Sequence, residues 1–267
     1  MKYQIIQDPE DERVKDYYLL KSKEPKSDLF IADHEKTAVR LLNSDLEVES
    51  VFCTEKYYDK HKSIIEFKVR DPNKRFVAET SVFENTIGFS VHQGFMSIGK
   101  QLWSPVSKLS FPAIAINGIV DSENIGSIFR TAAAFGIESI LVDERSSNPY
   151  LRRSVRVSMG AILKTKIFRV ENLKNFLNSN STQKVRTKII SLSLPKENSA
   201  LVGKTKSVYE IPKENDLLLV VGNENDGIQD EILEVSDLLA YIPMKNSIDS
   251  LNVSHALAVA LSHLLKD

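Results

Sequence analysis

Three clusters in this 267-residue chain combine residue types and spacings suited to chemistry. The tightest is Gly222-Asn223-Glu224-Asn225-Asp226-Gly227, which follows the apolar run Leu217–Val221. Gly222 permits a close backbone approach and Gly227 permits positive φ, so this loop suits a ligand held at the end of a strand. It lacks the spacing G-x-G-x-x-G of a dinucleotide fingerprint, and no Gly-Lys-Ser/Thr follows as in a phosphate loop. Its carboxylates would repel a pyrophosphate but tolerate a ligand that is neutral or positive where it faces them. A plain strand-to-helix turn accounts for the loop equally well.

The second cluster runs from Asn124 to Gly136. Ile125, Ile128, Phe129, Ala132 and Ala133 form an apolar helical stripe. Asn124 suits the N-cap and Gly136 the turn out of the helix. Arg130 lies off the stripe, so packing does not require it there. Periodicity favours an amphipathic helix with a solvated arginine; the functional alternative is that Asn124 and Arg130 face a phosphate or ribose. The third cluster, Tyr241 to Ala256, reads as a strand ending at Pro243, a polar loop, and a helix starting at Ser250 to Asn252. Ser250 or Asn252 would serve as its N-cap. Ala256, Ala258 and Ala260 suit close helix packing, within the chain or across a dimer. His255 and His263 have no cysteine or third histidine placed to complete a metal site, so no metal is expected.

The elements that must position these clusters form an α/β pattern. Ala113–Ile116, Ser139–Val142, Ile167–Val170, Lys188–Leu192, Leu217–Val221 and Ala240–Ile242 read as apolar strands. Helical stretches alternate with them and end in one over Asn252–Leu265. Such alternation predicts a mostly parallel sheet covered on both faces, with ligands in the loops at the carboxyl ends of its strands. Before it, Leu29–Ala32, Val48–Phe52, Ile64–Val69 and Arg75–Ala78 read as strands and Glu35–Leu42 as a helix. Gln101–Pro112, with its prolines and serines, reads as a linker, which gives domains over 1–105 and 106–267.

Composition adds boundaries. The formal net charge of −1 excludes a generally basic nucleic-acid binder, so any RNA surface must be local. The densest basic stretch is Arg145 to Arg169, with Arg145, Arg152, Arg153, Arg156, Lys164, Lys166 and Arg169 and no acid among them. A single cysteine, Cys53, excludes an internal disulfide and reads as a small buried hydrophobe. The opening segment has no apolar core like that of a secretory signal, and no run is long enough to cross a membrane, so the cytoplasm is expected.

Together and in this order, the three clusters resemble motifs one, two and three of the SpoU (TrmH) family of RNA 2′-O-ribose methyltransferases in the SPOUT superfamily. The family pattern is roughly N-x-G-x-x-x-R-x-A-x-x-F-G, then G-x-E-x-x-G, then I-P-M followed by S-L-N-V-S. These stand here at Asn124–Gly136, Gly222–Gly227 and Ile242–Ser254. Arg152–Gly160 is similar to a stretch between motifs one and two. Phe30-Ile31-Ala32 and Gly88–Gly99 are more loosely similar to the family's N-terminal extension.

The resemblance implies an α/β chain with a C-terminal SPOUT fold, a mostly parallel sheet and a deep trefoil knot. It also implies a smaller, ribosomal-protein-like N-terminal α/β domain that recruits RNA, and a homodimer that completes the active site. S-adenosylmethionine would be held by Leu192, Gly222, Gly227, Ile242, Met244 and Leu251, largely through backbone groups. Asn124, Arg130, Glu224, Ser250 and Asn252 match the family's polar catalytic positions, and Arg152, Arg153 and Arg156 would bind RNA. The motif-one arginine is the family's proposed base, but an arginine normally stays protonated, so anchoring a phosphate is at least as plausible a role for Arg130. Asn246 replaces a common glycine of motif three, and Asp33-His34 a common Glu-Gly of the extension. The implied activity is 2′-hydroxyl methylation of structured RNA, ribosomal RNA ahead of transfer RNA. The alternatives are a non-catalytic knotted RNA-binding protein and a nucleotide-dependent α/β enzyme of unknotted topology.

Overall fold

The computed structural model describes residues 2–19, 28–88, 93–179, 187–195, 199–223, 226–245 and 250–266. They form two compact units, Met1–Leu102 with Asn148–Lys164, and Trp103–Ser147 with Thr165–Asp267.

The first unit contains β1 (Gln4–Ile6), α1 (Lys15–Leu19), β2 (Leu29–Asp33), α2 (Glu35–Leu42), β3 (Val48–Thr54), α3 (Glu55–Lys68), β4 (Arg75–Ala78), α4 (Thr80–Ile87) and β5 (Phe95–Lys100). The sheet order is β1-β4-β3-β5-β2; β1, β4 and β3 are parallel, and β5 runs antiparallel to β3 and β2. Successive strand residues feed opposite cores, as the two-residue repeat of a strand requires. Phe52, Phe76 and Met96 join one cluster; Val51, Cys53, Val77 and Phe95 join the other. Cys53 is fully buried, and burial pushes its thiol pKa well up, so the reading of it as a small core residue holds.

Ile64–Val69 departs from its reading as a strand: it forms the end of α3 and the residue that follows it. The alternation of Ile65, Phe67 and Val69 imitates a strand. In the helix, however, Tyr58 and Ile65 are buried two turns apart while Phe67 is 70% exposed.

The boundary between the units falls at Leu102/Trp103, close to the expected 105/106, but the segment Asn148–Lys164 packs with the first unit rather than the second. Its helix α6 (Arg152–Val157) lies against β2. Tyr150 is buried 4.9 Å from Phe30 between ring centroids, and its hydroxyl donates to the Leu102 carbonyl at 2.8 Å. Burial raises the Tyr150 pKa to about 12. Arg152 clasps the wholly buried Asp33 with Nε at 2.9 Å and a terminal nitrogen at 2.7 Å from Oδ2. The basic stretch is divided between the units: Arg152, Arg153, Arg156 and Lys164 belong to the first, and Arg145, Lys166 and Arg169 to the second.

The second unit continues with β6 (Ala113–Asn117), α5 (Ser122–Ala134), β7 (Ser139–Asp143), β8 (Lys166–Val170), α7 (Leu173–Asn178), β9 (Lys188–Leu192), α8 (Ser199–Val202), β10 (Thr205–Ser207), β11 (Leu217–Gly222), α9 (Asp230–Val235), β12 (Leu238–Tyr241) and α10 (Val253–Leu264). Its seven strands are ordered β10-β12-β9-β11-β6-β7-β8, and every pairing is parallel. All residues of β6 and β7 are buried, as expected of parallel strands covered on both faces. β12 ends one residue before the expected Ile242, and β10 is an edge strand that the apolar pattern does not reveal. Among the described residues, no helix is long and apolar enough to cross a membrane.

Removing the Arg152 side chain leaves the Asp33 carboxylate buried without this cation, and its Oδ1 already has no hydrogen-bond partner among the described residues. Arg152→Ala should therefore cost about 3 kcal/mol in urea denaturation. A loss below about 1 kcal/mol, the range of an exposed pair, would refute this role for the ion pair.

Candidate active site

The parallel register brings four strand ends to one level. Ala240 of β12 pairs with Leu192 of β9, β9 pairs with β11, and Gly222 of β11 pairs with Asn117 of β6. The loops leaving β9, β11 and β12, together with the start of α10, enclose a cavity of about 250 Å³. Leu192, Gly222, Gly227, Ile242, Met244 and Leu251, all expected to hold the cofactor, line it. Ser193, Leu194, Asn223, Asp226, Ile228, Tyr241, Val253 and Ala256 complete much of the remaining wall and were not singled out as cofactor contacts. Their signal was only their position within or beside the motifs.

The β11 loop closes on itself. Asn223 N–H donates to the Gly227 carbonyl at 3.2 Å, and Gly227 N–H returns a bond to the Asn223 carbonyl at 2.9 Å. Gly227 has φ +70°, and a Cβ on Gly222 would lie 2.5 Å from the Gly227 oxygen. Both glycines are therefore required by geometry. Of the expected catalytic residues, Glu224 lies outside the described residues, as does Asn246.

The N-cap of α5 is Asp121, not Asn124. The Asp121 carboxylate accepts the Glu123 and Asn124 N–H groups, each at 2.8 Å. A carboxylate three residues upstream of Asn124 takes the cap role and leaves the Asn124 side chain available. Asn252 does cap α10: its Oδ1 accepts from Ser254 N at 3.0 Å and from Ser254 Oγ at 2.7 Å. Its Nδ2 then donates to Asn124 Oδ1 at 2.9 Å. Two of the expected catalytic side chains, 128 residues apart in sequence, thus meet at the amino ends of two packed helices.

Ser250 lines the cavity beside them. Arg130 is exposed on α5, about a third of a turn round from Asn124 and about 9 Å along the axis, and no hydrogen bond joins it to the asparagine pair. Ala133, read as part of the apolar stripe, is exposed as well. Of the expected RNA contacts, Arg153 and Arg156 are exposed, whereas Arg152 is engaged by Asp33.

A second, polar hollow of about 200 Å³ shares Asn223, Asp226, Gly227 and Ile228 with the first. Its floor is Asn117, which is buried and fully bonded. Asn117 Nδ2 donates to Asp143 Oδ2 at 2.8 Å and to Gln229 Oε1 at 2.9 Å, and Asn117 Oδ1 accepts Gln229 N–H at 3.0 Å. Asp143 also accepts the Gly118 N–H at 3.1 Å and the Ser146 hydroxyl at 2.5 Å. The sequence reading missed this network, although Asn117 and Asp143 are conspicuous polar endings to apolar strands.

The sequence model of the SpoU rRNA methylase family matches residues 112–262. The chain is 28% identical over 267 residues to an uncharacterized tRNA/rRNA methyltransferase of Mycobacterium bovis, covering 96% of this chain and 90% of that one. It is 28% identical over 151 residues to the 23S rRNA (guanosine(2553)-2′-O)-methyltransferase of Bacillus subtilis, covering 57% of this chain and 56% of that one. Its fold resembles that of an AdoMet-bound rRNA methyltransferase from Sinorhizobium meliloti, with a TM-score of 0.83 and 22% identity over the whole of both chains.

Gly222→Ala tests the loop geometry. The added methyl meets backbone, which cannot give way as a side-chain tip does. The variant should lose thermal stability and bind S-adenosylmethionine at least about tenfold more weakly by calorimetry, since 1.4 kcal/mol of misfit suffices for that factor. Unchanged affinity would mean that the loop does not shape the cofactor site.

Proposed function

Since the chain belongs to the SpoU rRNA methylase family, we propose that it methylates a ribose 2′-hydroxyl of ribosomal RNA, with S-adenosylmethionine as donor, as a cytoplasmic homodimer with a trefoil-knotted catalytic unit. Transfer RNA is the second candidate substrate. The first unit, 1–102 with 148–164, recruits RNA through a ribosomal-protein-like fold, and the second carries the reaction. The single observation that carries this reading is the pairing of Asn124 with Asn252 near a cavity at the carboxyl ends of parallel strands.

The residues present fit the donor. Leu192, Ile242 and Leu251 offer apolar surface to a purine and its ribose, and the close approach at Gly222 leaves room for backbone contacts. Asp226 adds negative charge to the same wall, which suits a sulfonium and opposes a pyrophosphate. When bound, S-adenosylmethionine supplies a methyl group on a good leaving group. The protein's task is to align the ribose hydroxyl and help its proton depart.

Asn252 fixes the Asn124 amide by engaging its oxygen, which turns the Asn124 Nδ2 donors away from that contact. These donors suit a ribose or phosphate oxygen. The Ser250 hydroxyl adds a donor and acceptor at the cavity wall. Arg130, exposed and cationic, anchors a phosphate rather than accepting the proton. Glu224 completes the polar set expected from the motifs. The exposed Ala133 and Ala134 beside Arg130 favour a helix face that a second copy covers.

Asn252→Asp separates positioning from folding. Aspartate keeps the capping oxygen, so stability should hold within a few tenths of a kcal/mol. It loses the amide donor to Asn124, and methyl transfer to RNA should fall about 100-fold through misplacement of the ribose. Asn252→Ala should lose the same activity and about 1 kcal/mol of stability. Full activity of Asn252→Asp would sink the positioning role, and wild-type protein that bound RNA but no S-adenosylmethionine would favour the non-catalytic reading.

A further inference from the structure

We infer that a cavity at the carboxyl edge of the first unit's sheet binds an unpaired nucleotide of an RNA strand, with base and ribose inside it and the phosphate at Lys56. This rests on the proposed action on RNA and adds where, and in what form, the strand is held.

Three parallel strands end there at one level. Ala78 of β4 pairs with Ile6 of β1 on one side and with Thr54 of β3 on the other. The helices that follow β3 and β4 leave on opposite faces of the sheet. Tyr58 and Ile65 of α3 join the core cluster of Val51 and Cys53, whereas Phe83 and Ile87 of α4 join that of Phe52 and Phe76. Helices that diverge from neighbouring strands open a crevice at the strand ends, the place where open α/β sheets hold their ligands. A cavity of about 870 Å³ lies in this crevice, wholly within the first unit. Arg152, Arg153 and Arg156 are not among the described residues that line it.

Thr54 is only 9% exposed and lines the cavity, yet its hydroxyl caps no amide of α3 and has no hydrogen-bond partner among the described residues. Buried hydroxyls are ordinarily bonded, so this one is available to a ligand that enters. Gly94 makes room for it, since a Cβ there would lie 2.6 Å from Thr54 Cγ2. Tyr57, Val82 and Ile5 supply apolar surface, and Ile5 is 62% exposed. Lys56 Nζ stands 5.8 Å from the ring centre of Tyr57. An aromatic surface beside a cation is the pairing by which proteins hold unpaired strands, base against ring and phosphate against ammonium. Glu55 and Glu79 also line the cavity, so it opposes a ligand that carries several phosphates. Glu55 accepts the Tyr3 hydroxyl at 3.3 Å. Glu79 is exposed and does not cap α4, which leaves its carboxylate to accept a ribose 2′-hydroxyl, the group that distinguishes RNA from DNA.

The test measures, by fluorescence anisotropy, binding of a short labelled oligoadenylate to the full-length protein, beside its DNA counterpart, an RNA duplex and adenosine monophosphate. The single RNA strand should bind about fivefold more tightly than the DNA strand or the duplex, a factor that one hydrogen bond supplies. Thr54→Val should weaken RNA binding about fivefold without lowering the thermal midpoint, because no bond within the protein is lost. Lys56→Ala should weaken it as well and reduce the slope of log Kd against log salt concentration by about one. Both variants should leave the Kd for S-adenosylmethionine by calorimetry unchanged. Should Thr54→Val fail to fold, the exposed Lys56 carries the test. Unchanged RNA affinity in either folded variant overturns the assignment, as does a DNA strand or duplex bound as tightly as the RNA strand. Adenosine monophosphate that displaced the strand at matching concentration would give the cavity to free nucleotides and overturn it too. RNA binding that depends on Thr54 and Lys56 in a protein that methylates no RNA would uphold this site and bring down the proposed function instead.

Discussion

β11 is hydrogen-bonded on both sides, to β9 and to β6, and Leu217 to Val221 are all buried. A strand held on both edges and both faces has no freedom to shift along its axis. A slip of one residue would break two ladders and turn Leu218 and Val220 out of their apolar cluster. That constraint places Gly222 at the sheet's carboxyl edge. It also sets the turn Asn223–Gly227 between two hollows, one apolar and one polar. The proposed recognition of the cofactor depends on this turn, because Asn223, Asp226 and Gly227 line its cavity.

Polar side chains then extend order beyond the sheet. Asn117 ties the end of β6 to Gln229 at the start of α9, and Asp143 ties the end of β7 to Gly118 and Ser146. Asn117 and Asp143 are buried with their partners in place, which avoids the cost of an unpaired polar atom in the interior. The helix starts follow the same logic. With Asp121 as the cap of α5, the Asn124 side chain is not consumed by the backbone and can be aimed by Asn252. Local capping and long-range positioning are divided between two residues where one had been expected to do both.

Much of this was legible in the chain. The apolar runs of β6, β7, β9 and β11 gave strands because full burial in a parallel sheet demands continuous hydrophobicity. The glycines at 222 and 227 marked a backbone that no other residue could follow. Ile64–Val69 misled because a short apolar stretch does not distinguish the two periods, and only the surroundings of Phe67 decide between them. Asn117 and Asp143 passed unnoticed because the pattern of a sequence does not tell a buried polar residue at a strand end from a solvated one. The basic stretch reads as one run of cations because the pairing of one of them with a buried acid is not legible in the sequence. The fold instead gives Arg152 to Asp33 and divides the remaining cations between two units.

The near-neutral charge of the chain acquires meaning from that division. Phosphate attraction is long-ranged and indifferent to sequence, so a uniformly basic protein would hold RNA without selecting a site. Here one arginine of the stretch neutralises a buried acid and others stay exposed. Weak general attraction makes the protein dependent on shape and on directed hydrogen bonds for its choice of nucleotide. Directed bonds need fixed supports, and here these are Asn117 at the end of buried β6, Gln229 bonded to it, and the mutually bonded Asn223 and Gly227.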